Sequence, residues 1–374
     1  MIYFDNSATT YPKPVAVAQA MANAVAKLGG NPGRGGHTMA MESAQAVYNV
    51  REQAAKMFGA KSENTVFTLN CTHALNTAIK GVVPPNSHVV ISSMEHNSVS
   101  RPVYALGEKG VKCSIARVSE DDDETLENFS KLIGKDTKAV ICTAVSNVTG
   151  KILPIERIAQ LCKERGVCLI CDAAQAAGVM PLSVKTSADI ICTAGHKGLY
   201  GPSGTGLLAT NGSYHVSPLT EGGTGTTSLE TAQPDMMPEM LESGTVNVPG
   251  IVGLGKGIDF VNSKGMANIH AKEQRLCDIF INYIKNVNGI KIYRGKGSYA
   301  PIVAFNVGDI HSGDAAQFLS DSGFALRGGY QCAAVTHHFL KTLDQGVVRF
   351  SPSVFNNEKQ VALLAASVKK LANF

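Results

Sequence analysis

Short apolar runs alternate with amphipathic stretches through the first two-thirds of the chain. Seven of these runs have the length and composition of buried strands: 65–68, 88–92, 112–118, 139–145, 167–172, 189–193 and 206–210. The stretches between them, such as 155–165 after Pro154, have the apolar spacing of helices, and proline favours a helix start. Apolar strands that alternate with helices predict an α/β fold whose mostly parallel seven-stranded sheet is covered on both sides.

The pattern changes after about residue 246. Two long helical stretches, 249–263 and 266–286, precede three short strands and a closing helix at 358–372. The three strands are 289–294, 302–307 and 347–351. This order predicts a second, smaller α+β domain, because 374 residues are too many for one ordinary core.

Composition narrows the classes of function. The net charge of +4 is small for this length, and the basic residues are scattered, so nothing indicates a nucleic-acid partner. The N-terminus lacks the pattern of a signal peptide, and no apolar stretch reaches the roughly 18 residues of a membrane helix. We therefore expect a cytoplasmic protein with neither a membrane nor a nucleic-acid partner.

The nine cysteines favour a reducing compartment and no metal site. Their number is odd, and several, such as Cys142 and Cys192, lie inside apolar runs where buried thiols are usual. Cys168 and Cys171 have the spacing of a CxxC motif but fall within a predicted strand. Residues three apart in a strand point to opposite faces, so we predict that the two sulfurs diverge.

Polar residues follow four of the predicted strands. Asp172 ends the run 167–172, Asn147 follows 139–145, and Lys197 follows 189–193. The fourth strand leads into 70–73 (Asn-Cys-Thr-His), where a helix begins. Ligands of parallel sheets bind beyond the carboxyl ends of the strands, so we expect these groups to share one site.

Together these groups suit a phosphorylated pyridine aldehyde. A lysine near buried surface loses its proton readily and can form an imine with an aldehyde. A carboxylate beside a pyridine nitrogen keeps it protonated and makes the ring an electron sink, while a helix N-terminus suits a phosphate. Each residue alone has an ordinary explanation as a surface charge or a cap, and only the combination indicates this cofactor.

Ten segments in order carry a resemblance to a known family. They are YFDNSATTYPKP, GNPGRGGHT, FTLNCTHALN, MEHNSV, SNVTG, DAAQAAG, AGHKGLYGPSGTG, ESGTVNVPG, RGGYQCA and VRFSPSVFN. With them the chain resembles the class V family of pyridoxal-phosphate enzymes, specifically the cysteine desulfurases and selenocysteine lyases. The resemblance implies the PLP-dependent transferase fold (fold type I), with a large domain at 15–258 and a small domain formed by 1–14 and 259–374.

The resemblance assigns cofactor contacts to matching positions of this chain. Lys197 in GHKG carries the cofactor as a Schiff base, and Asp172 pairs with its pyridine nitrogen. The remaining contacts that it implies are Asn147 and Gln175 near the ring hydroxyl, His96 stacked on the ring as a proton shuttle, and Cys71, Thr72 and His196 around the phosphate. Thr245 in SGTVN reaches the phosphate of the neighbouring subunit, which implies a homodimer.

Substrate contacts follow in the same way. Arg349 in VRFSP is expected to bind the carboxylate of L-cysteine or an analogue through a bidentate pair. Asn31, Arg34 and His37 are expected to line the mouth of the active site, and Arg327 is also expected to contact the substrate.

Cys332 decides which reaction the resemblance implies. It ends an RxGxxC pattern, the position of the desulfurase nucleophile, whose thiolate attacks the sulfur of cofactor-bound cysteine and leaves alanine and a persulfide. Glycines 328 and 329 are expected to make its loop mobile, and Arg327 to favour the thiolate. The persulfide would pass to a sulfur-acceptor protein. The short segment 332–349 resembles the SUF-type group.

The chain also departs from the family pattern. Ala194 stands where relatives usually have Ser or Thr, Cys71 replaces a common Thr, and Ser7 a usual Ala. Tyr330 and Gln331 stand where desulfurases often have His. Two alternatives to the desulfurase therefore stay open. One is a selenocysteine lyase or another class V reaction (transamination, epimerisation or β-elimination) in which Cys332 is not essential. The other is a weakly active sulfur-relay scaffold, which the intact catalytic positions oppose.

Three further patterns have structural interpretations. Residues 250–256 match the start of a phosphate-binding P-loop, but Gly257 follows and no strand precedes, so we predict close helix packing instead. His337 and His338 are adjacent and diverge on a helix, which makes them a poor metal pair. The acidic run 120–124 is predicted to be a solvated turn.

Overall fold

A computed structural model describes residues 1–33 and 35–373, with strands and helices alternating as the sequence pattern predicts. The strands are β1 (Ile2–Tyr3), β2 (Thr65–Thr68), β3 (His88–Ser92), β4 (Lys112–Ala116), β5 (Thr137–Thr143), β6 (Cys168–Asp172), β7 (Ile190–Ala194), β8 (Gly206–Thr210), β9 (Ile290–Ile292), β10 (Val303–Val307), β11 (Phe324–Ala325) and β12 (Val348–Phe350). The α-helices are α1 (Val15–Lys27), α2 (Thr38–Phe58), α3 (Cys71–Val82), α4 (Asn97–Leu106), α5 (Asp122–Leu132), α6 (Ile155–Arg165), α7 (Val248–Lys264), α8 (Met266–Ile284), α9 (Ser312–Asp321), α10 (Ala334–Leu340) and α11 (Glu358–Ala372).

The main sheet has seven strands in the order β2-β8-β7-β6-β5-β3-β4. Only β8 runs antiparallel to its neighbours β2 and β7, so the prediction of a mostly parallel sheet is confirmed. Every residue of β6, β7 and β8 is buried, as expected for strands covered on both faces. The strand predicted at 139–145 corresponds to β5, which begins and ends two residues earlier than predicted.

Two hydrophobic layers cover the sheet, with α3 and α4 on one face and α2, α5, α6 and α7 on the other. Cys168 belongs to the first layer and Cys171 to the second. Their sulfurs therefore lie on opposite faces, which confirms that they do not form a CxxC site.

Glycines let α7 approach the turn that follows β7. A Cβ atom on Gly257 would lie 2.2 Å from the carbonyl oxygen of Leu199 and 2.7 Å from the amide nitrogen of Gly201. Segment 250–256 lies inside α7, so the predicted helix packing is confirmed and the P-loop is excluded there. The contact fixes the turn that contains Lys197.

The last third of the chain forms the predicted α+β unit. Its antiparallel sheet has the order β12-β10-β9, and α8, α9 and α11 supply apolar residues to its core. The N-terminus joins this unit, because Phe4 lies in the same core and β1 pairs in parallel with β11. The boundaries 15–258 and 1–14 with 259–374 stay a prediction. Among the described residues, no helix is both long and apolar enough to cross a membrane.

The acidic run 120–124 is a helix start, so the prediction of a solvated turn was wrong. Asp121 caps α5, and its Oδ1 accepts from the amides of Asp123 at 2.7 Å and Glu124 at 3.1 Å. Carboxylates stabilise a helix N-terminus by satisfying free amides and by complementing the helix dipole.

Candidate active site

A cavity of about 200 Å³ lies at the carboxyl ends of β5, β6 and β7. Ten of the residues that the sequence predicted as site residues line it: Cys71, Thr72, His96, Asn147, Asp172, Gln175, His196, Lys197, Arg327 and Arg349. The carboxyl ends of neighbouring parallel strands meet at one edge, which is why residues distant in sequence converge here.

Lys197 lies in the turn after β7, half-buried, and lines the cavity. Burial lowers the pKa of its amine from the ordinary value, although the negative charge of Asp172 opposes this shift. A lower pKa leaves more of the amine unprotonated, and the unprotonated amine is the form that attacks a carbonyl.

Asp172 ends β6 and is held by local donors. Its Oδ1 accepts from the Ala174 amide at 2.9 Å and from the Cys71 thiol at 3.5 Å. Burial raises the pKa of Cys71 well above its ordinary value, so this thiol stays protonated and acts as a donor. A fixed carboxylate in such a place suits a cationic ring nitrogen.

His96 is held in one tautomer at the start of α4. Its Nδ1 accepts from the Ser98 amide at 3.0 Å, so the neutral ring carries its proton on Nε2. Burial lowers the pKa of His96 to about 4, with Asp172 opposing the shift and Lys197 adding to it. At neutral pH the imidazole is uncharged and has one N–H to offer.

The N-terminus of α3 forms another wall of the cavity. Asn70 caps this helix by accepting from the His73 amide at 2.9 Å, and Cys71 and Thr72 are its first two residues. The Thr72 hydroxyl lies 2.7 Å from that of Ser98. Free amides at a helix start favour an anionic ligand.

Three buried polar atoms that belong to cavity residues have no hydrogen-bond partner within the described chain: His196 Nδ1, Asn147 Oδ1 and Arg349 Nε. Buried polar groups without partners are costly and uncommon in folded proteins. Their convergence on one cavity indicates that it is built for a polar ligand.

Arg349 enters the cavity from β12 and is almost completely buried. Its NH2 donates to Asp5 Oδ1 at 2.7 Å, and its NH1 donates to the carbonyl of Asn147 at 2.9 Å. The two contacts fix the guanidinium, and its unpartnered Nε–H can donate a hydrogen bond to the carboxylate of a ligand.

Cys332 lies on an exposed loop at the rim of the cavity, outside the residues that line it. Its Sγ accepts from Arg327 NH2 at 3.3 Å. Its carbonyl accepts from the Asn97 amide at 2.7 Å, directly beside His96, and the Gln331 carbonyl accepts from Asn147 Nδ2 at 2.7 Å. The loop is therefore joined to two walls of the cavity.

The remaining predicted residues lie elsewhere. Asn31 Nδ2 donates to Thr245 Oγ1 at 3.2 Å, and Thr245 lines a separate surface groove. His37 caps α2, and its Nδ1 accepts from the Ala40 amide at 3.3 Å. Arg34 lies outside the described residues. The assignment of these residues to the mouth of the site and to a neighbouring subunit stays a prediction.

Three residues of the site were not predicted from the sequence. Asp5 anchors Arg349, Ser98 contacts both His96 and Thr72, and Gln331 lines the cavity. A usable signal existed for Ser98, because a cap residue such as His96 accepts from the amide two positions later, and Ser98 occupies that position in α4. No local pattern indicates the other two.

Comparison with known proteins agrees with this arrangement. The family described as Aminotransferase class-V matches residues 2–364. A cysteine desulfurase of Serratia proteamaculans is 31% identical, covering 90% of this chain and 85% of the relative. A probable cysteine desulfurase of Pyrococcus abyssi is also 31% identical, over 99% and 94%. The apo structure of a cysteine desulfurase from Thermococcus onnurineus NA1 superposes with a TM-score of 0.90 at 30% identity, covering 100% of this chain and 94% of that one.

Proposed function

The chain belongs to the class V aminotransferase family, and from that premise we propose that it is a pyridoxal-phosphate-dependent cysteine desulfurase. It converts L-cysteine to L-alanine and transfers the sulfur to Cys332 as a persulfide. One observation carries the proposal: the cavity that encloses Lys197 and Asp172 has the Arg327–Cys332 contact at its rim. Assignment to the SUF-type group stays a prediction.

The residues around the cavity suit pyridoxal phosphate. The unpartnered His196 Nδ1 and Asn147 Oδ1 offer hydrogen bonds, and the start of α3 favours the phosphate. Asp172 would pair with the pyridine nitrogen and Lys197 with the aldehyde carbon. When bound, the cofactor supplies an electron sink for negative charge that develops beside the amine of the substrate.

The side chains of the chain perform the other steps. Arg349 holds the substrate carboxylate, and the neutral His96 donates or accepts a proton through Nε2. The Cys332 thiolate attacks the sulfur of the substrate. A sulfur–sulfur bond forms at Cys332 while the carbon–sulfur bond breaks, and its electron pair stays on the carbon that is protonated to become the methyl group of alanine.

We also propose a homodimer and a protein acceptor of the sulfur. Thr245 lies away from the cavity of its own chain, a position from which it can reach a second subunit. Cys332 is exposed, so a persulfide formed there is accessible to another protein.

Alanine release from L-cysteine, measured with a reductant present, tests the function. We expect Cys332→Ala to lower the rate about 100-fold or more, because the attacking group is lost. Cys113→Ser is the matched control, since Cys113 is the other exposed cysteine in the described residues and lies on β4, and we expect it to keep the rate.

Other outcomes would change the proposal. Equal alanine release by wild type and Cys332→Ala would indicate an elimination that bypasses the thiol, of the selenocysteine-lyase kind. No alanine from a visibly yellow protein would indicate a different class V substrate.

A further inference from the structure

The nucleophile loop has a backbone conformation that its residues rarely adopt. Gln331 has φ of +44° and Cys332 φ of +56°, so two consecutive residues with side chains lie in the left-handed region. Such a conformation persists only when surrounding contacts hold it, and it is often found at functional sites. The contacts that hold this backbone conformation therefore also determine where the Cys332 sulfur lies.

The side chain of Gln331 has one possible orientation. Its Nε2 lies 2.9 Å from the carbonyl oxygen of Val347 and 3.3 Å from that of Arg327, and both oxygens can only accept. Its Oε1 is consequently the acceptor that faces His337 Nε2, at 3.2 Å.

This orientation fixes the tautomer of His337. Its Nε2 must carry a proton to donate to Gln331, so in the neutral ring Nδ1 accepts from the Thr342 hydroxyl at 2.7 Å. The ring is completely buried in α10, and burial lowers its pKa, which favours the neutral form. In this series of hydrogen bonds from Thr342 through His337 to Gln331, each donor then faces an acceptor.

We propose that Gln331, His337 and Thr342 form a brace that holds Cys332 in its attacking position, which makes His337 a positioning residue for the reaction. Gln331 lines the cavity, whereas His337 and Thr342 lie outside its lining, and the backbone contacts with Asn97 and Asn147 join the same loop to the cavity walls. The inference rests on the proposed function for its meaning, because it concerns the thiol that we assign as the nucleophile.

His337 and its neighbour permit a matched test in the full-length, cofactor-loaded protein. His337→Ala removes the donor to Gln331, His337→Gln restores an amide N–H at a similar distance, and His338→Ala changes the adjacent, exposed histidine. The measurements are kcat and KM for alanine release, the yellow colour, and the rate of Cys332 alkylation followed by mass spectrometry of its peptide.

We expect His337→Ala to lower kcat about tenfold with KM within about twofold, because the thiol is displaced while substrate and cofactor contacts remain. Alkylation of Cys332 should slow about threefold or more, since the thiolate reacts and the Arg327 N–H donates to Sγ only while the loop is held. His337→Gln should recover most of both rates, and His338→Ala should match wild type. Colour should be the same in all four proteins.

Wild-type values of kcat and alkylation in His337→Ala would overturn the brace. If that variant does not fold, Thr342→Val decides the question, because it removes only the hydroxyl that His337 accepts from. Unchanged alkylation and kcat there would equally refute the proposal. A wild type that releases no alanine defeats the proposed function instead, and the alkylation rates still test the brace.

Discussion

At the scale of single residues, the site depends on charges and protons that are fixed before any ligand arrives. Asp172 is held by the Ala174 amide and the Cys71 thiol, and His96 by the Ser98 amide. Preorganised groups of this kind need no rearrangement during a reaction, which is where enzymes gain most of their electrostatic advantage.

Lys197 carries the prediction that belongs to this scale. We expect Lys197→Ala to lose the yellow colour after extensive desalting, because the amine that bonds the cofactor is gone. Its rate of alanine release should fall by about 100-fold or more. Absorbance spectra before and after desalting measure the first effect. Lys185→Ala, at an exposed lysine, is the control, and a variant of Lys197 that stays yellow would contradict the assignment.

The polar ends of the strands allowed most of the site to be predicted from sequence. Asp172 ends an apolar strand, and Asn147 and Lys197 lie shortly after two more; the three strands run parallel, so the convergence of these residues is a consequence of the sheet. The contact of Asp5 with Arg349 joins residues 344 positions apart, and no local pattern encodes such a separation. The residues proposed to brace Cys332 are close in sequence, but their hydrogen bonds depend on the short helix α10 and on the backbone conformation at each end of it.

At the scale of elements, the apolar runs predicted the strands because a sheet covered on both faces needs no polar positions. Strands β2, β3 and β8 have the predicted bounds. The start of α5 was misread although Asp121 followed by acidic residues is a signal for a helix N-terminus. The run is largely exposed, as its composition indicates, but Asp121 also accepts from two amides of the first turn and so begins a helix.

The packing of α7 gives a prediction for an element. We expect Gly257→Ala to destabilise the protein by about 1–3 kcal/mol, because the added Cβ would overlap the backbone of Leu199 and Gly201. The displaced turn also contains Lys197, so cofactor affinity should fall. Denaturant unfolding and cofactor titration measure the two effects.

Gly107→Ala is the control for that experiment. A Cβ at Gly107 meets nothing within 4 Å, and its φ of −56° suits any residue. We expect a change close to zero or a slight stabilisation. Equal stability of the two variants would show that α7 can move away from the turn without cost.

At the scale of the whole molecule, one buried pair joins the two halves beside the site. Tyr200, shortly after Lys197, donates its hydroxyl to Glu273 Oε1 of α8 at 3.0 Å. A second, small cavity of about 40 Å³ borders Tyr200, Glu273 and Lys197. Burial raises the pKa of Glu273 to about 8, with the Tyr200 hydrogen bond opposing the shift.

This raised pKa predicts how stability depends on pH. Glu273 binds its proton more tightly in the folded chain than in the unfolded chain. The contribution of this protonated group to the free energy of unfolding is therefore complete below the unfolded pKa of about 4.3 and is lost as pH rises through about 8. Glu273→Gln cannot ionise and should gain on the order of 4 kcal/mol of stability relative to wild type between pH 5 and pH 9. Urea unfolding at pH 5, 7 and 9 measures the difference, with the exposed Glu108→Gln as control. A constant difference across pH would contradict a protonated Glu273.

The pairing of β1 with β11 also sets an order of events during synthesis. Ile2 and Tyr3 are translated before the sheet of the large half, but their partners Phe324 and Ala325 are translated after it. Asp5 likewise waits for Arg349, whose guanidinium it anchors. Because nascent chains fold from the N-terminus as they emerge, the large half can close around its core while the first residues are still unattached. The contact between Asp5 and the arginine proposed to hold the substrate can thus form only late in synthesis, and a chain stalled on the ribosome before β12 lacks this substrate-binding group.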